Sequence, residues 1–137
     1  MTLARRMKIS GIAGITYNSR THQYALRMRR QHDILITDES FKPVRYIHIA
    51  KTSRLRHQSI DSDEEHIYEC LDHKRHYNII MVYNWEGKYL YTVKIPLKYE
   101  AEGLYHIGNK TYLSFYYGRN VNNKFVRSSY TYRLFMP

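Results

Sequence analysis

The chain has one cysteine, Cys70, so no intramolecular disulfide and no thiolate zinc cluster can hold it together. Cys70 lies in an alternating run, His66-Ile67-Tyr68-Glu69-Cys70-Leu71, that reads as a strand. His73 and His76 fall in the hairpin loop after it, which gives the thiol no positioned base. No apolar run approaches the roughly 18 residues of a membrane-spanning helix. The first ten residues are basic but have no apolar centre of a secretory signal, as expected of an internal start or a C-terminal piece of a longer protein. No segment of about 12 residues shows helical periodicity, the connector from Lys51 to His57 being the nearest exception. A Gly-rich phosphate loop, a G-x-S-x-G elbow and a His-x-x-x-His helix are all missing, so no catalytic residues are assigned.

Acidic residues are scarce: 12 Asp and Glu against 22 Lys and Arg, for a net charge of +10. That excess favours an anionic partner, either a cell-wall polymer or a membrane surface; nucleic acid has only the net charge in its favour. Arg27, Arg29 and Arg30 are expected on a strand and the turn after it, at a solvated sheet edge. Tyrosine is abundant, 15 residues against one Trp and four Phe, which suits sheets with one packed and one wet face.

The most informative pattern is an internal echo about 45 residues long. Gly14-Ile15-Thr16-Tyr17-Asn18 aligns with Ser59-Ile60-Asp61-Ser62-Asp63 and with Gly103-Leu104-Tyr105-His106-Ile107. Asp33 to Phe41 aligns with Asn78 to Glu86, and Val44 to Ile49 with Leu90 to Ile95. Approximate repeats then cover 11–50, 57–97 and 99–137 of a single repeat domain. A period in the low-to-mid forties, made only of strands and turns, matches one propeller blade per repeat. The fold expected is all-β, a β-propeller-like array of about three four-stranded blades. Closed rings have roughly four to eight blades, so this partial propeller is expected to be completed by a second copy, as a homo-oligomeric dimer, or by further N-terminal blades.

In the first repeat, strands are expected at Ile9 to Tyr17, Gln23 to Met28, Ile34 to Thr37 and Val44 to Ile49, with turns at Asn18 to Thr21 and Asp38 to Pro43. The second turns at Asp63-Glu64-Glu65 and at Asn84 to Lys88, where Gly87 supplies a positive φ, and ends at Pro96. The third turns at Gly108-Asn109-Lys110. A polar loop from Gly118 to Lys124 is then expected before a last strand from Ser129 to Phe135.

Gln58 to Tyr68, the hairpin Tyr83-Asn84-Trp85-Glu86-Gly87-Lys88-Tyr89 and the strand start Glu100-Ala101-Glu102-Gly103-Leu104 resemble the helveticin J family of Lactobacillus bacteriocins and related propeller-like proteins. The resemblance spans roughly residues 11 to 117 and corresponds to the C-terminal portion of a family member. It implies a secreted or cell-surface antibacterial protein acting on related Gram-positive cells, and it supplies no catalytic set.

Ligand-binding candidates are Tyr17, Trp85, Tyr89, Glu102, His106 and Tyr116, aromatic or polar residues at turns and strand ends. Glu100 and Glu102 alternate at a strand start near the propeller axis, with Asp61 or Gln58 as neighbours by repeat equivalence. They are the metal candidates, and calcium is the ion that such oxygens would take, although it needs six to eight of them. The simpler expectations are no cofactor and a Glu102 that caps turn amides beside Gly103. Two functions follow: a binding module docking a basic, Tyr-rich face on an anionic cell envelope, or a fragment of a six-bladed hydrolase or lyase with a metal at the axis. A base-stacking module would alternate aromatic and basic residues on one exposed face, for which Tyr112, Phe115, Tyr116 and Arg119 are the candidates.

Overall fold

The computed structural model describes residues 11–29, 33–49, 55–73 and 76–137. They form eleven strands and no helix: β1 (Ile12–Asn18), β2 (Gln23–Met28), β3 (Asp33–Asp38), β4 (Pro43–His48), β5 (Arg56–Ser62), β6 (His66–Asp72), β7 (Asn78–Asn84), β8 (Tyr89–Ile95), β9 (Glu100–Ile107), β10 (Lys110–Val121) and β11 (Lys124–Leu134). The strands fold as three antiparallel meanders, β1-β2-β3-β4, β5-β6-β7-β8 and β9-β10-β11. The first strands lie side by side, β1 against β5 and β5 against β9. Among the described residues no sheet closes into a barrel.

Strand alternation decides which side chain meets which layer. In the second sheet Ile67 and Tyr83 face the first sheet, where they meet Ala25, Ile34, Ile36 and Ile47. Their neighbours Tyr68, Cys70, Ile80 and Val82 point the other way, onto Ala101, Leu104, Leu113 and Phe115 of the third. The second sheet is therefore the middle layer of a three-sheet stack. That explains why β6 is buried almost throughout, whereas β8, its outer strand, alternates with solvent. Complete burial of a side chain such as Phe115 or Ile67 stabilises by about 1.5–3 kcal/mol.

Four hairpins are built alike. Asn18 Oδ1 accepts from the amides of Arg20 (2.9 Å) and Thr21 (3.2 Å), and Asp38 Oδ1 from those of Ser40 (2.8 Å) and Lys42 (2.9 Å). Asp63 Oδ1 accepts from Glu65 (2.8 Å) and His66 (2.6 Å), and Asn84 Oδ1 from Lys88 (2.8 Å). Each side chain replaces a backbone acceptor at the head of its turn. Gly87 has φ +94° in the hairpin between β7 and β8, next to a bulge at Val82 and Tyr83, as expected of that turn.

Three expectations change. The third sheet has three strands, not four. The stretch from Gly118 to Lys124 is not a loop: β10 runs on to Val121, and β11 starts at Lys124 after a two-residue turn at Asn122 (φ 49°) and Asn123 (φ 61°). Asparagine tolerates this left-handed geometry, so the pair makes a tight hairpin turn. Arg27 lies on no solvated edge; it is 4% exposed, and its Nε donates to the buried Glu69 across the first two sheets. Of the connector considered helical, Arg56 and His57 belong to β5, and residues 51–54 lie outside those described, as do Ile9 and Arg30.

Candidate polymer-binding face

The residues singled out from the sequence are dispersed. Tyr17 is exposed at the end of β1; its hydroxyl donates to Glu39 (2.6 Å) and lies 3.0 Å from His22 Nδ1. The bond to Glu39 pushes the Tyr17 phenol up to about 12, and the same bond, with that from His22, holds the Glu39 carboxyl below its ordinary value. Tyr89 is exposed on β8, with its hydroxyl 2.9 Å from Thr92 Oγ1. Trp85 is 3% exposed, and its indole N–H donates to the Asp63 carbonyl (3.0 Å), so it is a core residue with no face for a ligand. His106 closes a polar line across the three first strands. Its Nδ1 is 2.8 Å from Asp61 Oδ2, Thr16 Oγ1 donates to Asp61 Oδ1 at 3.5 Å, and the imidazole lies against the Tyr68 ring at 4.4 Å.

Glu102 is not at a turn. It is the extra residue of a bulge in β9, where Ser114 and Phe115 oppose Gly103 and Ala101, and its carboxyl is raised by burial and by Glu100. Glu100 accepts from Gln58 Nε2 (3.2 Å) and lies 3.5 Å from Arg56, as the repeat equivalence with Gln58 expects. Among the described residues no group of three or more His, Cys, Asp or Glu is placed to hold a metal ion. Of the sequence candidates, Glu100 and Tyr116 come together, opposite each other on β9 and β10. With Lys98, Tyr99, Tyr117 and Gly118 they line a cavity of about 150 Å³.

That cavity opens beside a larger feature, the face of the third sheet turned away from the second. Leu113 and Phe115 are buried against the second sheet, so the even residues of β10 and their partners point outward. The outward set contains Tyr105, Tyr112, Tyr116 and Phe125 together with Lys110, Arg127 and Arg133, and one acid, Glu100, opposite Tyr116. Tyr105 and Tyr112 stack, with centroids 5.4 Å apart and planes within 10°. The Phe125 ring rests on Gly118, where a Cβ would come within 2.2 Å of its Cζ, and the Arg127 guanidinium sits over that ring at 5.8 Å. From Lys110 to Leu134 there are five basic residues, Lys110, Arg119, Lys124, Arg127 and Arg133, and no acidic one.

Sequence reasoning named Tyr112 and Tyr116 but grouped them with Phe115 and Arg119, which point to the other side. The period-two spacing of Tyr112, Ser114 and Tyr116 was legible. Its continuation into Phe125, Arg127 and Arg133 depends on the two-residue turn at Asn122 and Asn123, which sets the cross-strand register. No protein-family model, curated protein or solved structure matches the chain.

Proposed function

We propose that the chain is a binding module of propeller type, of the helveticin J kind its sequence resembles, that docks the outer face of the third sheet on an anionic polymer of the bacterial cell envelope. The supporting observation is that face: four aromatic rings interleaved with Lys110, Arg127 and Arg133, with no acid on β10 or β11 and Glu100 beside Tyr116 on β9. Aromatic rings offer rigid area to sugar and backbone units, and the cations meet phosphates or carboxylates. The three sheets are its blades, supported by β1, β5 and β9 lying together as the first strand of each. The polymer belongs to a Gram-positive wall, the site of action the resemblance implies, and the protein is secreted or surface-bound.

Binding of a poly(glycerol phosphate) wall polymer and of a single-stranded oligonucleotide of matched charge tests this. With three phosphates neutralised and a slope of about −0.7 per contact, affinity falls roughly 20-fold between 50 and 200 mM salt. Removing Arg127 and Arg133 by alanine substitution lowers both the affinity and the slope. Preference for the oligonucleotide, or binding unchanged by that double substitution, overturns the proposal.

A further inference from the structure

The first sheet carries a separate cluster at one end. Tyr17 Oη, His22 Nδ1 and Glu39 Oε1 meet pairwise: Tyr17 and Glu39 at 2.6 Å, His22 and Glu39 at 2.9 Å, Tyr17 and His22 at 3.0 Å. They come from three segments, the end of β1, the turn after it and the turn after β3. At most two protons, one on the phenol and one on Nδ1, serve those three contacts. The backbone is arranged to hold the donors there. His22 (φ 55°) and Phe41 (φ 60°) are both left-handed. Phe41 stands where the matching hairpin of the second sheet has Gly87: its N–H donates to the Asp38 carbonyl as that of Gly87 does to Asn84, both at 3.0 Å. A bulky residue is rare in that conformation. Phe41 uses it to stack on Tyr24, with centroids 4.6 Å apart and planes 9° apart, and the Tyr24 ring lies 4.8 Å from that of Tyr17. Three rings in a row thus fix the phenol beside the other two donors.

We infer that Tyr17, His22 and Glu39 form a ferric-ion site, with phenolate, imidazole and carboxylate on one face of the ion. Size and chemistry both select the ion. Donors bound at about 2.0–2.1 Å stand roughly 2.9 Å apart when at right angles, as on the face of an octahedron, and roughly 3.3 Å apart in a tetrahedron. The separations here match the octahedral face and not a tetrahedral zinc site. They are also hydrogen-bond lengths, so an ion replaces the shared protons with little movement of the donors. A phenol keeps its proton near pH 7 unless a strongly Lewis-acidic ion displaces it, which favours a trivalent ion over calcium or zinc. On binding, Tyr17 releases its phenolic proton to solvent, His22 carries its remaining proton on Nε2, and the iron stays trivalent. His22 and Glu39 are more than half exposed, which leaves the other three positions to solvent oxygen. Among the described residues no three of His, Cys, Asp and Glu gather for a metal; here the third donor is a phenol. The site lies on the first sheet and does not rest on the function proposed above.

The probe is ferric nitrilotriacetate, added to the intact chain at pH 7 without polymer. A visible phenolate-to-iron charge-transfer band should grow and saturate at one ion per chain. Tyr17→Phe should abolish the band with unchanged circular dichroism, although every other tyrosine remains. Glu39→Gln and His22→Ala should each weaken binding by at least the roughly 10–100-fold that an outer-shell change costs. Tyr89→Phe, at an exposed residue of β8, should leave it unchanged. Ferric ion should also raise the melting temperature of the intact chain and not that of Tyr17→Phe, and zinc at the same concentration should raise neither. No band, a band retained in Tyr17→Phe or shared among several ions, or displacement of the iron by equimolar zinc overturns the inference. Should Tyr17→Phe fail to fold, Glu39→Gln in its exposed turn decides alone. Because no polymer is present, a negative result leaves the binding face untouched, and failed polymer binding leaves the ion site untouched.

Discussion

Replacing Arg27 by methionine should be among the most damaging single changes in the first two sheets. Arg27 is 4% exposed and Glu69 fully buried, and the guanidinium Nε donates to Glu69 Oε1 between β2 and β6. The same oxygen lies 3.3 Å from His57 Nδ1, while Glu69 Oε2 and His57 Nε2 have no hydrogen-bond partner among the described residues. Arg27 also donates from its second nitrogen to the carbonyls of Met28 (2.7 Å) and Asp33 (3.3 Å), which fixes the guanidinium in place. Arg27→Met removes the main counter-charge of a carboxylate with no access to water. Breaking a buried pair from one side costs about 3–5 kcal/mol. At a urea slope of about 2 kcal/mol per molar the midpoint falls by roughly 1.5–2.5 M. The companion variant sharpens the reasoning: Arg27→Met with Glu69→Met leaves no unpaired charge, so much of the loss should return. Equilibrium urea unfolding at pH 7, followed by Trp85 fluorescence, measures both. A single-variant loss below about 1 kcal/mol, or a double variant as unstable as the single, would refute the claim that the cost lies in an uncompensated buried charge.

Asp63 carries an acid-dependent part of the stability. Burial pushes its carboxyl up, but the Tyr68 hydroxyl and the Glu65 and His66 amides outweigh it and hold the group below its ordinary value of 3.8. Its stabilisation is therefore present above about pH 4 and lost as the pH falls through the depressed folded value. Asp63→Asn should cost about 1–2 kcal/mol at pH 7, the lower end because the side chain is over a third exposed, and nearly nothing near pH 2; melting temperatures across that range check it. Gly118→Ala places a Cβ where the Phe125 ring tip lies. The ring is free to swing off, so stability should change by less than about 1 kcal/mol while polymer affinity drops several-fold, as calorimetry of unfolding and of binding would show.

The meander was legible because its signals are local. The echo of β3 and β4 marked β7 and β8, and Asn18, Asp38, Asp63 and Asn84 each announced a turn that its own side chain builds. The Gln58 and Glu100 contact was also readable, since the forty-odd-residue echo puts equivalent residues in neighbouring sheets. What stayed hidden depends on partners distant in sequence. Arg27 reads as a surface cation until Glu69, 42 residues away, is seen to bury it. Trp85 reads as a contact residue in a polar hairpin until Asp63 is found to accept its N–H. The aromatic and basic face of the third sheet required the φ values of Asn122 and Asn123, since a loop there leaves open which side chains of the last strand share a face with Tyr112 and Tyr116.

The most direct check of the central claim is to map amide chemical-shift changes as poly(glycerol phosphate) is added to the labelled protein. Shifts should concentrate at Tyr105, Tyr112, Tyr116, Phe125, Arg127 and Arg133, with Leu113 and Phe115 behind them changing little. Shifts centred on Tyr17 and Glu39 of the first sheet, or spread evenly over the basic residues of all three sheets, would contradict it.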